Sequence, residues 1–345
     1  MAVPFTRLAS QVLDSHNLKL HDSLKLHNGV IAVFGSKGRI VFENGGGENF
    51  KERILYGQNT NIAFRGKNSQ IDTNDDDGIT MASVAQKVIS GAIVINRVER
   101  DQVKGKWAIG QLLEDKKKQA RTTWAQKWAT VLLQASPGSD DPYTLLPSGT
   151  SGTINGILSP TASQAGTTAG ISRADNDWWR NVYTNTSIDI SAESGQASLG
   201  RLAYFPAVHG SSMEDEPDFG LCDAISMADL SSSADTKRRS TFRDEDIAKL
   251  GFDNIKFYNA ALIRESSTRM ANKIAFINTR DLAIKVLRSP GLEKFDQDNG
   301  LGSIPVIVDE FQKDIDSLNM VSLMYIVAGL VPSQLRTHAL ADNIS

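Results

Sequence analysis

Apolar and polar positions follow different rhythms in different parts of the chain. In residues 1–37 short apolar and polar pieces alternate, with Leu18, Leu20, Leu24, Leu26, Val30, Ile31 and Phe34 as the apolar points. Gly35 and Gly38, then Gly45, Gly46 and Gly47, punctuate the chain between residues 35 and 47. This pattern predicts an arm with one or two short helices rather than a core. Residues 48–95 read differently. Ile54-Leu55-Tyr56 and Ile62-Ala63-Phe64 precede a polar stretch from Arg65 to Gly78, and Val84 to Ile95 is β-branched with no helical stripe. The segment predicts two long strands joined by a long polar tip. A two-stranded ribbon buries no core of its own, so it needs a neighbour to lie on.

Residues 98–135 carry the clearest helical pattern. Trp107, Leu112 or Leu113, Ala120, Trp124, Trp128, Val131 and Leu132 recur near i, i+4, i+7. No proline falls between Pro4 and Pro137, and Pro137-Gly138 ends the pattern. A helix of about 30 residues spans about 45 Å, more than a compact domain of this size needs. Gly105 and Gly110 weaken its first third, which puts the expected regular start near Gln111. From Ser136 to Gly170 the chain is rich in Ser, Thr, Gly and Pro, with one apolar island from Ile154 to Leu158. A second polar stretch runs from Ser231 to Glu245. Leu282 to Leu287 and Val321 to Val331 are strand-like, and no repeat of 20–50 residues is present. Helices and strands do not alternate as βαβ units, so the expected class is α+β.

Composition changes this picture little. A length of 345 residues suits about two domains. Hydrophobic residues at 40% and charged residues at 22% are ordinary globular usage. The net charge of −3 excludes a generally basic nucleic-acid coat but not a local basic patch. The single cysteine, Cys222, excludes an intrachain disulfide and a thiolate metal cluster, and suits a reduced, cytosolic chain. The start shows no secretory signal. The longest apolar run, Leu323 to Val331, is half of what a membrane span needs, so no membrane partner is expected.

Candidate chemistry is sparse. His16, His21, His27, His209 and His338 make no metal-binding spacing and read as surface or hydrogen-bonded side chains. Gly35-Ser36-Lys37-Gly38 lacks the spacing of a phosphate loop, and Gly300-Leu301-Gly302 lacks the third glycine of a dinucleotide site. The run from Asp72 to Gly78 resembles a calcium loop out of frame. Counted from Asp72, the glycine position holds Asp77 and the bidentate glutamate position holds Ser83. Gly149-Thr150-Ser151-Gly152 lies in a polar loop and is no nucleophile elbow. Cys222 sits beside Asp223, which raises a thiol pKa, so it reads as packed and structural. No catalytic, cofactor-binding or metal-binding set stands out. No enzyme activity and no cofactor are expected.

The long helix stands out by charge. Residues 97–135 hold Arg97, Arg100, Lys104, Lys106, Lys116, Lys117, Lys118, Arg121 and Lys127 against Glu99, Asp101, Glu114 and Asp115, a local balance of +5. One reading is a solvated face; the other is a basic surface turned toward a polyanion.

Several strings, in order, resemble one family. They are Ile54-Leu55-Tyr56-Gly57-Gln58-Asn59-Thr60, Asp77-Gly78-Ile79-Thr80, Val88-Ile89-Ser90-Gly91, Ile154-Asn155-Gly156-Ile157 and Gly170-Ile171-Ser172-Arg173. Trp178-Trp179-Arg180-Asn181, Leu250 to Phe257, and Phe276-Ile277-Asn278-Thr279 come later in the chain. From about residue 20 onward the chain resembles tailed-bacteriophage major capsid proteins, whose shell fold is shared with herpesvirus capsid floors and encapsulins.

The resemblance implies an N-terminal arm at 1–37 and an extended loop at 38–95. It implies a peripheral domain with a spine helix at 96–148, an axial domain at 149–275, a peripheral return at 276–325, and a final axial strand and tail at 326–345. Two features depart from the family pattern: glycines at the head of the spine, and the long polar stretch 210–245. The implied function is self-assembly of hexamers and pentamers into an icosahedral shell around double-stranded DNA, assembled in the host cytoplasm and located in the virion. The implied partners are further copies of the chain, a scaffolding protein, a portal protein and a decoration protein. A separate scaffolding protein is expected because no extra region of some hundred residues precedes the arm. On this reading Arg97, Lys104, Lys116, Lys117, Lys118, Arg121 and Lys127 face packaged DNA inside the shell. Arg65, Lys67, Asp72, Asp75, Asp76 and Asp77 at the ribbon tip make intersubunit ion pairs. Trp178-Trp179 with Arg180 is expected as a core element, its arginine salt-bridged or stacked on a ring. An encapsulin-like compartment shell and a soluble enzyme are the alternatives.

Overall fold

The computed structural model describes residues 29–44, 47–59, 61–62, 64–67, 78–96, 98, 106–133, 157–158, 166–209, 215–237, 254–265, 270–288, 292–294, 305–308, 312–313 and 319–345. The first described element is helix α1 (Gly29–Ser36), and it corrects the reading of 1–37 as lying outside the core. Val30, Ile31, Val33 and Phe34 are buried in the main hydrophobic cluster. The segment Gly-Val-Ile-Ala-Val-Phe is apolar all round, and a helix with no polar face must be enclosed.

Strands β1 (Ile40–Glu43), β2 (Asn49–Leu55), β3 (Ile79–Ala85) and β4 (Lys87–Asn96) come next, then helix α2 (Lys106–Leu132). The predicted ribbon is real but shorter than expected. β2 and β3 pair antiparallel over seven positions, from Asn49↔Ala85 to Leu55↔Ile79. The run Val84 to Ile95 does not continue as one ribbon strand. It breaks at Gln86, whose N–H donates to Glu48 O at 3.2 Å and whose side-chain amide donates to Gly47 O at 2.9 Å. Beyond that break β4 joins a different sheet.

That sheet has seven strands built around β16 (Asn319–Pro332). β16 pairs antiparallel with β4 over ten positions. It also pairs antiparallel with β12 (Leu282–Leu287), β14 (Pro305–Val308) and β15 (Gln312–Lys313). β13 (Leu292–Lys294) extends β14, and β1 lies parallel to β12. The strand-like stretches Leu282–Leu287 and Val321–Val331 are thus strands. Helix α2 begins five residues before Gln111 and carries Gly110 inside it. Its Trp124, Trp128 and Leu132 enter the main cluster. At 27 residues it is about 40 Å long.

Between the two halves of this sheet in sequence lies a second unit. It begins with a small hairpin, β5 (Thr167–Thr168) and β6 (Ile171–Ser172). Ala169 (φ 52°) and Gly170 (φ 81°) form its two-residue turn, which needs positive φ at both positions. Beyond it is a six-stranded sheet in the order β7 (Val182–Thr184), β17 (Ala339–Asp342), β11 (Lys273–Ile277), β8 (Phe219–Cys222), β10 (Ala260–Arg264) and β9 (Asn254–Phe257). Helices α3 (Glu193–His209) and α4 (Ala224–Lys237) supply Leu199, Leu202, Met227 and Leu230 to a second hydrophobic cluster against one face. Phe219, Leu221, Ala275 and Ile277 turn the other face into the main cluster. Strands covered on both faces read as continuous apolar runs, as Phe-Gly-Leu-Cys does.

The chain passes between the two sheets at 278–281 and again at 333–338. β16 stays in the seven-stranded sheet through Pro332, so the chain re-enters the six-stranded sheet only at β17, later than the expected boundary at 326. The reason is its length: Leu330 and Pro332 are still needed to pair with Ile284 and Leu282.

Candidate assembly surfaces

The ribbon is fixed at its root and bare beyond it. Lys285 on β12 is 8% exposed and forms ion pairs with Glu43 of β1 and with Glu52 of β2 at 2.7 Å. Burial opposes its charge, but hydrogen bonds to Glu43 and Glu52 outweigh burial and raise its pKa. Phe50 and Val84 pack where Gly329 has no side chain; a Cβ there would lie 3.1 Å from the Phe50 ring. Ser83 N donates to Ala169 O at 2.8 Å, and the Tyr56 ring stacks on Trp178 at 4.9 Å. Gly57 and Gly78 face each other at the neck, where a Cβ on either would come within 3.0 Å of the other's backbone.

Around and past this neck several apolar side chains are uncovered among the described residues. Leu55 is 76% exposed and Ile79 is 56% exposed, while Ile62 and Phe64 are almost wholly in solvent. Arg65 and Lys67 are exposed, and Arg65 donates to Asn61 O at 3.1 Å. Asp72, Asp75, Asp76 and Asp77 lie outside the described residues.

The lysines of α2 do not form one face. Successive residues turn by about 100° around a helix, so Lys116, Lys117 and Lys118 fan out. Lys116 and Lys127 share a stripe with Gln119 and Thr123 along a groove beside β4. Lys117 and Lys118 are half-buried elsewhere on the helix. Arg97 and Lys104 lie outside the described residues, as does the side chain of Arg121.

Three of the strings noted in the sequence meet at a buried arginine. Arg173 is fully buried. Its Nε donates to Thr168 Oγ1 at 2.9 Å, Nη1 to Asn181 Oδ1 at 3.0 Å and Nη2 to Ile157 O at 2.5 Å. Burial lowers its pKa to about 9. Trp179 is also fully buried and donates Nε1–H to Thr168 O at 3.0 Å. Arg180 pairs with Asp177 and donates to Arg173 O at 2.6 Å. The expected tryptophan core with a salt-bridged arginine is present, and it serves as the floor on which the ribbon root rests.

A polar seam joins the two crossings. Asn278 N donates to His338 Nδ1 at 3.1 Å, and Ser333 N donates to Asp281 O at 2.9 Å. Asp218 accepts from Thr279 N at 2.8 Å, Thr279 Oγ1 at 2.6 Å and Lys37 Nζ at 2.5 Å. Burial would raise the Asp218 carboxyl, but these donors hold it below its ordinary value. His338 is fully buried, and burial drives its pKa from 6.5 down to about 4.

A neutral His338 costs stability in acid. The unfolded chain takes up a proton below about pH 6.5 that the folded chain accepts only near 4. Folding stability therefore declines across that window and levels below it, by about 3 kcal/mol in all for this one group. Urea titrations of the wild type and of His338→Gln at pH 7.5, 5.5 and 4.5 should show the acid loss shrinking in the variant. Equal slopes would exclude His338 as its source.

The described residues assemble no catalytic constellation. Among them no cluster of three or more His, Cys, Asp or Glu can hold a metal. Cys222 is buried, and burial, with Asp223 beside it, raises its thiol to about 12. Asp223 caps α4 by accepting from Ser226 N at 2.8 Å.

No protein-family model and no curated protein matches this chain. Solved structures do. The chain is similar to a subunit of the cyanophage A-1(L) capsid, with TM-score 0.61 and 15% identity over 94% of this chain and 95% of that one. It is similar to the holo-SrpI encapsulin of Synechococcus elongatus PCC 7942, with TM-score 0.55 and 11% identity over 100% and 97%. A native GTA particle capsid gives TM-score 0.54 and 11% identity over 96% and 94%. The chain therefore has the α+β shell fold of tailed-phage major capsid proteins, which an encapsulin shares.

Proposed function

We propose that this chain is a major capsid protein that assembles as hexamers and pentamers into an icosahedral shell enclosing double-stranded DNA. The observation that carries this reading is the ribbon: it is fixed by an ion triad and a stacked ring pair, while Leu55, Ile62, Phe64 and Ile79 along it are bare. A monomer gains nothing from such an element. Laid on a neighbouring copy it buries those side chains, and the same contact repeated around a ring closes it. Weak contacts suffice because each subunit makes many at once. The seven-stranded sheet with α2 is the peripheral unit, and the six-stranded sheet with α3 and α4 is the axial one. Arg65, Lys67 and the acids Asp72, Asp75, Asp76 and Asp77 form salt-sensitive intersubunit pairs.

The cationic set Arg97, Lys104, Lys116, Lys117, Lys118, Arg121 and Lys127 attracts packaged DNA through its phosphates, without sequence preference. Scaffolding, portal and decoration proteins complete the particle, which assembles in the host cytoplasm. An encapsulin-like compartment is the second reading, favoured by the SrpI match across the whole chain. Electron microscopy of the expressed chain, alone and with its scaffold, tests the proposal. Closed shells of five- and six-fold rings are expected. A protein that stays monomeric under both conditions, or a shell with Lys116, Lys117 and Lys118 on its outer surface, overturns the reading or its DNA-facing part respectively.

A further inference from the structure

β4 is an open edge. Among the described residues it pairs with β16 alone, along ten consecutive positions. Proteins blunt long edges with charges, prolines, bulges or a covering element. The sequence from Val88 to Ile95, Val-Ile-Ser-Gly-Ala-Ile-Val-Ile, has none of the first two, and its register with β16 is unbroken. An edge left in this state is suited to receive a strand.

Beside the edge runs a groove of about 500 Å³ between β4 and α2. Ile89, Ile93 and Trp124 form its apolar floor, and among the described residues no carboxylate lines it. Lys116, Gln119, Thr123 and Lys127 form its rim, recurring at i, i+3, i+7 and i+11 on one flank of the helix, where Lys116 is half-buried and the other three are exposed. The opposite face of the same strand is different: Val88 is 61% exposed and Val94 is 45% exposed, with Leu323 of β16 beside them at 52%. A strand added here meets cations and hydroxyl or amide groups on one side and apolar surface on the other.

We propose that this edge and groove take up an extended segment of a partner protein that alternates acidic and β-branched residues. The segment pairs with β4 through its backbone, as in strand addition to other open sheets. Its acidic side chains turn toward Lys116 and Lys127 in the unassembled chain, before those lysines meet packaged DNA, and its apolar ones extend the Val88–Val94 surface. The dimensions agree. Lys116 and Lys127 are eleven residues apart, about 16 Å along the helix, and five strand residues cover about the same distance. Acids at i, i+2 and i+4 of the added strand span about 13 Å, and the flexible lysine stems close the remaining few ångströms. Strand addition here does not depend on shell formation, since it uses only the groove, the edge and their charge.

The test uses the full chain, unassembled, and a labelled, end-capped nonapeptide alternating Glu and Val. Fluorescence anisotropy should show saturable binding in the micromolar range. A Lys-for-Glu peptide, and a Glu–Val peptide N-methylated on the edge-facing amides, should each bind at least tenfold more weakly. Lys116→Glu with Lys127→Glu should cost at least tenfold while the urea midpoint stays within error of wild type. Three results overturn the proposal. The first is no binding at 1 mM peptide. The second is undiminished binding of the N-methylated peptide, which would mean charge attraction without strand addition. The third is displacement by a short DNA duplex as readily as by unlabelled peptide, which would make the groove a phosphate site. Slow hydrogen exchange, in the free chain, of those β4 amides that point away from β16 would show that another segment of the chain, or a second copy, already fills the edge, and would overturn it as well.

Discussion

Arg173→Met should destabilise the isolated subunit by about 3–5 kcal/mol, the range for breaking a buried polar network. Methionine fills much of the volume but leaves three acceptors, Thr168 Oγ1, Asn181 Oδ1 and Ile157 O, without the donor that serves them. Each unmet buried group costs about 1–3 kcal/mol. Relief of the desolvated charge, visible in a pKa lowered to about 9, offsets part of this. Arg173→Lys should not rescue, because one ammonium cannot reach three acceptors set around a planar fork. The readout is the urea midpoint at constant slope. A loss below about 1 kcal/mol for methionine, or full rescue by lysine, would mean that the cluster is held by Trp179 and its apolar neighbours instead. Because Tyr56 stacks on Trp178 in the same cluster, the damage should also loosen the ribbon root, seen as faster hydrogen exchange at Ser83.

The second large effect is expected in assembly rather than folding. Leu55→Ser, Phe64→Ser and Ile79→Thr together remove three side chains that touch solvent in the subunit. Such surface changes each shift folding by about 0.5 kcal/mol or less. On a neighbouring copy the same side chains would each contribute about 1.5–3 kcal/mol on burial. Losing about 4.5–9 kcal/mol per contact raises the concentration needed for assembly by about a thousandfold or more. Sedimentation of the variant beside assembling wild type should show a folded subunit and no shells. Shells at the wild-type concentration would remove the ribbon's apolar face from the proposed interface.

The elements set by local pattern were legible in the sequence. Leu282–Leu287 is a strand with those bounds, and the tryptophan spacing located α2. What the sequence hid depends on partners far along the chain. Nothing in Val84 to Ile95 marks Gln86 as the point where one strand leaves β2 and the next joins β16, because both pieces are equally β-branched. The eight residues of α1 are too short and too uniformly apolar to announce a buried helix within an arm. Arg173 stands in a polar stretch and looks solvated; only the approach of Ile157 and Asn181 makes it a core residue. The basic set of α2 was legible as charge but not as geometry, since consecutive lysines point in different directions. The edge of β4 was invisible for the same reason as the break at Gln86: a sequence shows that a strand is apolar, not which of its sides is taken.

The two crossings at 278–281 and 333–338 have a mechanical consequence. They run side by side and are tied to each other by Asn278 with His338 and by Ser333 with Asp281. Two such straps alone would resist torsion and leave one axis of bending. The main hydrophobic cluster closes that axis, because Phe219, Leu221, Ala275 and Ile277 of the six-stranded sheet pack in it with Leu282, Ile284, Met324 and Leu330 of the seven-stranded one. Bending one sheet against the other would open close-packed apolar surface to water, so straps and shared core together make the two sheets one stiff body.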